Sequence, residues 1–210
     1  MRKLMMALLV CACSLGMSAQ DIAGVFTAMP DQYIPQLEHA WRQDLVDLFN
    51  QGKEARLKNT MNGYSSLKKL TKDYLLLQTT ERSTVEMKLL PLINNTYVIC
   101  MVTTVYGPAP DSRIDFFTTE WAPLERDELL TPLAPEWYLK HEPERKEDDN
   151  YRDAIARLDM ELIHYTLSPD NLTLTATYST PQYLEKEAQE KVAPYISAPK
   201  VYKWEKSHFE

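Results

Sequence analysis

The chain has 210 residues, with 30 acidic and 23 basic side chains and a formal charge of −7 at pH 7. This balance repels phosphate backbones and anionic lipid, so we expect no nucleic-acid partner. A locally basic patch remains compatible with it, because net charge does not describe how charges are distributed. The length fits one domain or two small ones, and it allows a core that needs no covalent staples.

The first nineteen residues have the composition of a secretory signal peptide. Arg2 and Lys3 form a basic start, the residues from Leu4 to Val10 are apolar, and small residues precede Gln20. The apolar run is too short to span a bilayer. We therefore expect a signal peptide at residues 1–19 and an exported chain, residues 20–210, with no transmembrane span.

The cysteines leave two forms of this exported chain open. Cys11 and Cys13 lie in the signal segment, so only Cys100 would remain after cleavage, and no intramolecular disulfide is expected. Cys13 also ends a stretch that loosely resembles a bacterial lipobox, which would place a lipid anchor at Cys13. The short apolar run and the missing leucine three residues before the cysteine favour the soluble form.

Apolar spacing predicts an α+β fold that starts with a helix and a four-stranded antiparallel meander. Ile34, Leu37, Trp41 and Leu45 recur every three or four residues, which predicts a helix over 31–52. The period then changes to two, and short connections favour antiparallel neighbours. The four strands are predicted at 73–79, 84–90, 97–105 and 113–119. The third is almost continuously apolar, so it is expected to be a central strand covered on both faces. The second is expected to be half-buried, with Glu86 and Lys88 on the face away from Val85 and Met87.

The rest of the chain is predicted to complete the same single domain. Pro123, Pro132 and Pro135 break a linker with some helical character, and the charged segment at 140–150 is a possible internal boundary. A hairpin spans 160–178, and its turn, 168–171, would pair Leu167 with Leu172. Further elements are predicted as a short helix at 150–159, a C-terminal helix from 181 to about 192, and a closing strand at 200–204.

One face of the predicted hairpin carries the candidate ligand-binding residues. These are a histidine and four threonines that would lie on the side opposite Ile163, Tyr165 and Leu174: His164, Thr166, Thr173, Thr175 and Thr177. A hydroxyl-rich flat strip suits a ligand. Threonine is also a good strand former, which explains the same pattern without a ligand.

No motif predicts catalysis, a metal or a cofactor. The histidines do not have the i, i+4 spacing of a zinc-binding helix, and Glu161 and His164 would point to opposite faces of a strand. If that segment were helical, the objection would disappear. No nucleophile elbow or glycine-rich phosphate loop is present, and Cys100 lies in the most apolar strand, where a thiolate would be costly.

Four stretches of the sequence resemble a known family. They are MPDQYIPQL (29–37), DYLLLQTTERSTVEMKLLPL (73–92), YVICMVTTVYGP (97–108) and LSPDNLTLTATYSTPQYL (167–184). The chain is similar in them to a Bacteroidales-restricted family of small exported proteins that contain a domain of unknown function. The resemblance implies the periplasm or the cell surface of a Gram-negative bacterium. It implies no catalytic residue.

The function expected from these observations is binding. An exported address without catalytic, metal or nucleotide motifs indicates a non-catalytic module that binds an envelope protein or a surface glycan. The alternative is a periplasmic hydrolase acting on peptides or glycans, with its acids among the scattered Asp and Glu residues. Two convergent carboxylates in a pocket would favour a glycan hydrolase, and a flat apolar patch would favour a protein-binding module.

Overall fold

The computed structural model describes residues 21–141 and 148–210. The predicted signal peptide, with Cys11 and the lipid-anchor candidate Cys13, lies outside the described residues. So do residues 142–147, which form most of the charged segment that was a possible boundary.

An antiparallel sheet of seven strands forms the centre of the molecule, and its strands follow one another in chain order. The predicted meander of four strands is therefore too small. The strands are β1 Arg56–Lys58, β2 Tyr64–Leu70, β3 Tyr74–Thr80, β4 Ser83–Pro91, β5 Tyr97–Tyr106, β6 Pro110–Thr118 and β7 Pro123–Leu124. Strands β1 and β7 were not predicted because they have only three and two residues, and β2 because a register shift between Leu67 and Lys69 interrupts its alternation.

Two N-terminal helices cover one face of this sheet, here called face A. Helix α1 (Ile22–Thr27) was not predicted, and α2 (His39–Asn50) begins later than the predicted helix at 31. Asp31–Tyr33 forms only a single 3₁₀ turn. Face A buries Leu75, Leu77 and Met87 against the helices.

A buried arginine holds the connection between the two helices. Arg42 of α2 is fully buried, and its guanidinium donates to the backbone oxygens of Leu37, at 2.6 Å, and Met29. It also lies 2.9 Å from a carboxylate oxygen of Asp31. These bonds satisfy carbonyl groups that the interrupted helix leaves open, which explains how residues 28–38 stay ordered without being helical.

A second antiparallel sheet covers the opposite face of the central sheet, here called face B. Its strands are β8 Ile163–Leu167, β9 Thr173–Tyr178, β10 Lys200–Glu205 and β11 His208–Phe209, in the order β11-β10-β9-β8. Tyr165, Leu174 and Tyr202 pack on face B together with Val102 and Phe116. The molecule therefore has three layers, and both faces of the central sheet are covered.

The hairpin between β8 and β9 has a different register from the predicted one. Leu167 pairs with Leu174 rather than with Leu172, and Tyr165 pairs with Ala176. The longer turn, closed by the Ser168 amide on the Thr173 oxygen at 3.0 Å, shifts the pairing by two residues. Because the shift is even, the predicted inner and outer faces of the hairpin are kept.

The remaining helices are short. They are α3 Arg126–Leu129, α4 Asp149–Ile155 and α5 Lys186–Val192. The predicted C-terminal helix began at Pro181, but residues 180–183 form a 3₁₀ turn and Leu184 is extended, so α5 begins at Lys186. A third small core joins α4 and α5 through Ala154, Leu158 and Val192.

Candidate functional site

A cleft lies where the turn of the β8–β9 hairpin reaches one end of the central sheet. It is a cavity of about 360 Å³, which falls within the range of small-molecule sites. Its lining combines two lysines, two aspartates, an asparagine and an apolar side: Lys72, Asp73, Lys88, Leu89, Pro91, Tyr97, Asp170, Asn171 and Leu172. The walls come from the β2–β3 turn, the end of β4, the start of β5 and the hairpin turn.

The polar centre of the cleft is the buried lysine of β4. The side chain of Lys88 is 2% exposed, and its Nζ lies 3.0 Å from a carboxylate oxygen of Asp73. Nζ also donates to the Pro169 backbone oxygen at 3.2 Å. An ammonium group has three donors, and these two contacts use two of them. The centre of the Tyr74 ring lies 5.8 Å from Nζ. These partners also explain how a charged lysine is tolerated in this position.

A buried carboxyl group, that of Glu86, lies two residues before Lys88 on the same face of β4. Glu86 is 7% exposed, and its Oε2 accepts from the Leu167 amide at 2.8 Å and from the Tyr74 hydroxyl at 3.2 Å. Burial raises the pKa of Glu86 to about 7, although both hydrogen bonds act in the opposite direction. Burial also raises the pKa of Tyr74, and the neighbouring Glu86 charge adds to that shift.

Glu86 belongs to a row of acceptors that fixes β8 on face B. Successive amides of a strand point to alternate sides, and those of β8 that bond to β9 lie between Ile163, Tyr165 and Leu167. The amides of these three residues therefore point away from β9. They donate to Asp111 at 3.1 Å, to Ser112 at 3.1 Å and to Glu86 at 2.8 Å. The edge of the second sheet is therefore closed by side chains of the first, and this holds the hairpin turn above the cleft.

The cleft was not predicted, because the alternation along 84–90 favours an open face for Glu86 and Lys88. Both side chains are buried, since the second sheet covers face B. Leu90 on the same face and the apolar run at 97–105 were local signals that this face is covered. Asp170 and Asn171 were interpreted only as turn residues, and Asp73 and Tyr97 only as strand ends.

The predicted ligand-binding residues lie on one face of the β8–β9 hairpin. They line neither this cleft nor a smaller cavity between α3 and β8. His164 faces Thr177 and Thr166 faces Thr175 across the β8–β9 pair, and Thr173 is in register with Lys203 of β10. The five side chains are half-buried. The role of His164, Thr166, Thr173, Thr175 and Thr177 in ligand binding stays a prediction.

His164 itself packs against an aromatic ring at the end of β5. Its ring centre lies 6.0 Å from that of Tyr106, in an edge contact. Burial lowers the pKa of His164, and its Nε2 is buried without a hydrogen-bond partner. A neutral imidazole is favoured at this position.

A smaller cavity of about 210 Å³ lies between α3 and β8. Its polar lining includes Arg126, Glu161 and Tyr165. The Glu161 carboxylate already accepts from the Trp137 indole at 3.0 Å. Glu161 and His164 therefore have different neighbours, as expected for a segment that is not helical.

A group of metal-binding side chains and a membrane-spanning helix are both absent from the described residues. Within residues 21–141 and 148–210, no three His, Cys, Asp or Glu side chains are grouped so that they could hold a metal ion. In the same part of the chain, no helix is long and apolar enough to cross a membrane. The Cys100 thiol is buried, and burial raises its pKa well above the usual value.

The fold and the cleft define an α+β protein with two antiparallel sheets, one of which is large, and a polar cleft at their junction. Over residues 14–209 the chain matches the family described as "Protein of unknown function (DUF3256)", and it belongs to that family. No curated protein matches it.

A solved structure is similar to this chain over most of its length. It is described as the structure of a domain of an uncharacterized protein from Porphyromonas gingivalis W83, and it is 29% identical, with a TM-score of 0.77. The match covers 89% of this chain and 96% of the other. The sequence-based resemblance to a family of unknown function is thus confirmed, and the similar structure comes from a Bacteroidales species.

Proposed function

We propose that this protein is a non-catalytic carbohydrate-binding module of the bacterial envelope, which holds a sugar residue in the cleft beside Lys88. The expected signal peptide supports the envelope location. The mixed lining of the cleft carries the proposal. It combines carboxylates, an amide and an ammonium group with an apolar side, within a volume of about 360 Å³.

This lining matches the chemistry of a sugar ring. Each sugar hydroxyl both donates and accepts hydrogen bonds, so a site that binds several hydroxyls needs donors and acceptors close together. Asn171 provides an amide group, whose oxygen already accepts from the Thr173 hydroxyl, the exposed Lys72 provides donors, and Asp170 provides acceptors. The C–H faces of the ring need an apolar surface, and Tyr97 and Pro91 provide one.

The charge balance of the cleft favours a carbohydrate over a strongly charged small molecule. Two lysines, Lys72 and Lys88, and two aspartates, Asp73 and Asp170, line it. Lys88 and Asp73 neutralise each other at 3.0 Å. The remaining lysine and aspartate also have opposite charges, so a small ligand with a large net charge of either sign would meet a repulsive group.

The hydrolase alternative has less support. Glycoside hydrolysis needs two carboxyl groups at the substrate, one of them an acid with a raised pKa. The carboxyl group with the raised pKa, Glu86, does not line the cleft and is bonded to the Leu167 amide. The two aspartates that do line the cleft are Asp73 and Asp170, and of these Asp73 is held by the Lys88 ammonium group at 3.0 Å.

A glycan array probed with the purified protein tests the proposal, followed by titration of the best glycan against two matched variants. Tyr97→Ala removes an aromatic ring that lines the cleft and is 37% exposed, and Tyr183→Ala removes one that is 51% exposed elsewhere. We expect Tyr97→Ala to weaken binding at least tenfold and Tyr183→Ala to leave it unchanged.

Three outcomes would contradict the proposal. One is that the array retains no glycan, and another is that both tyrosine variants bind as the wild type does. The third is release of reducing ends from a bound glycan, which would indicate the hydrolase instead.

A further inference from the structure

The segment next to the cleft has a charge that is opposite to that of the whole protein. Residues 55–72 contain five basic residues, and all 30 acidic residues of the chain lie outside the segment. The segment forms β1, β2 and the turn that leads to β3. In this acidic protein, all the charged residues of one segment at the edge of the central sheet are therefore basic.

Strand pairing places most of these cations on one side of the sheet. Arg56 pairs with Ser66 and Lys58 with Tyr64, while Lys69 pairs with Leu76. Ser66 also pairs with Gln78, so these side chains continue face B, the face that Leu76 occupies. Arg56, Lys58, Lys69 and the cleft residue Lys72 are called the basic strip below. Strand β2 has seven residues, so the strip is roughly 23 Å long at about 3.3 Å per residue.

The second sheet does not cover this part of face B. The strands of the central sheet that β8 contacts most are β4, β5 and β6. Arg56 and Lys58 are exposed, and Tyr64 is 49% exposed. Among residues 21–141 and 148–210, no carboxylate forms an ion pair with a cation of the basic strip. The charges of the strip are therefore available to a ligand.

The geometry of Arg56 favours carboxylate groups. Its guanidinium carbon lies 3.9 Å from the centre of the Tyr64 ring, so the tyrosine holds the planar group in one orientation. A guanidinium held in this way keeps its edge donors free for a bidentate bond to a carboxylate. Lys72 belongs both to the strip and to the cleft, so a ligand chain that leaves the cleft at Lys72 would continue along the strip.

We infer that the ligand is an acidic polysaccharide, with one sugar residue in the cleft and the carboxylates of the following residues on Arg56, Lys58 and Lys69. This inference rests on the proposed function, because it assumes that the cleft holds a sugar. It adds the charge of the ligand and the path of the chain over the protein.

Protection of the sheet edge is the competing explanation for these lysines. Natural edge strands carry charged residues that prevent pairing with other chains. Either sign of charge serves that purpose. A lysine-to-glutamate exchange therefore keeps the protection and abolishes attraction for a carboxylate, so it separates the two explanations.

The test compares polygalacturonate with its fully methyl-esterified form, which has the same sugars without charge, as probes for the full-length protein. The variant is Lys58→Glu/Lys69→Glu, and the control is Lys186→Glu/Lys203→Glu, which makes the same change in net charge at two exposed positions elsewhere. We expect polygalacturonate binding to fall at least tenfold in the first variant and less than twofold in the control. We also expect a tenfold loss for the wild type between 50 mM and 500 mM salt.

The outcomes separate this inference from the proposed function. Equal binding of both polymers, or equal loss in both double variants, overturns the acidic ligand and leaves a neutral sugar in the cleft. Binding to vesicles that contain phosphatidylglycerol, without binding to polygalacturonate, overturns it in favour of a lipid surface. Failure of every glycan, charged or neutral, overturns both. A melting temperature within a few degrees of the wild type establishes that each variant is folded.

Discussion

At the scale of single residues, the buried carboxyl group of Glu86 should make stability depend on pH. Its pKa is about 7 in the folded protein and 4.5 in a solvated chain. A raised pKa means that the folded state holds the proton more tightly, so the stabilisation is complete below pH 4.5 and is lost as the pH rises through 7. We expect the free energy of unfolding to fall by about 3 kcal/mol between pH 4.5 and pH 8 from this group.

Urea denaturation at a series of pH values measures this effect, and Glu86→Gln is the matched control. Glutamine keeps an oxygen that can accept from the Leu167 amide, but it does not titrate. Its unfolding free energy should therefore change less over the same interval. A pH dependence as steep in Glu86→Gln as in the wild type would show that other groups, or general repulsion in this acidic protein, are responsible.

At the scale of secondary-structure elements, β8 should behave like an interior strand although it lies at the edge of the second sheet. Its outward amides donate to Asp111, Ser112 and Glu86. Removing the acceptor in Ser112→Ala leaves the Tyr165 amide unsatisfied, which costs about 1–3 kcal/mol. Hydrogen exchange measured by NMR should therefore be slow for the Tyr165 amide in the wild type and at least fivefold faster in Ser112→Ala.

Thr175→Ala serves as the control for this experiment, because Thr175 lies on the outer face of the hairpin and pairs with Thr166. It should leave the exchange of Tyr165 unchanged. Fast exchange of Tyr165 in the wild type would mean that the hairpin is not held on face B, and the wall of the cleft above Lys88 would then not be fixed.

At the scale of the whole molecule, the shared central sheet should make the three layers unfold together. Leu77 is fully buried between face A and the N-terminal helices, and Leu174 of β9 is fully buried between the second sheet and face B. Each change to alanine should cost about 2–5 kcal/mol. Because both cores lie on the same strands, we expect one transition in thermal circular dichroism for the wild type and for both variants.

A separate transition in Leu174→Ala alone would contradict this prediction. It would mean that the second sheet detaches while the helices and the central sheet remain folded. Hydrogen exchange followed by mass spectrometry identifies the detached segment, because only peptides from β8 to β11 would then lose protection.

The elements of the fold that could be predicted are those whose sequence pattern lies within a few neighbouring residues. Of the strands that became β3 to β6, β4 was found from alternating apolar residues and β5 from an almost continuous apolar run. The even register shift of the hairpin kept His164 and the threonines on one face. Helix α2 was found from its apolar stripe, but its start was misplaced by eight residues. The carbonyls that Arg42 satisfies at Met29 and Leu37 hold a non-helical segment, and no local pattern reveals such a bond.

The candidate site was not predictable for the same reason. Lys88 acquires its role from Asp73, 15 positions before it, and from the Pro169 carbonyl, 81 positions after it. A charged residue in an alternating strand is ordinarily exposed, so the sequence placed Lys88 on an open surface. The basic segment from 55 to 72 could be counted from the sequence, but only strand pairing shows that Arg56, Lys58 and Lys69 share a face.

The sequence by itself determined the α+β class, four of the seven strands of the central sheet and membership of a family of unknown function, because these depend on local patterns and on stretches of adjacent residues. Only the tertiary structure decided which elements cover the two faces of the sheet, that Glu86 and Lys88 are buried, and that a cleft forms at the hairpin turn. Those features depend on contacts between segments far apart in the chain. The free energy of burying a charge is settled by partners that such contacts supply.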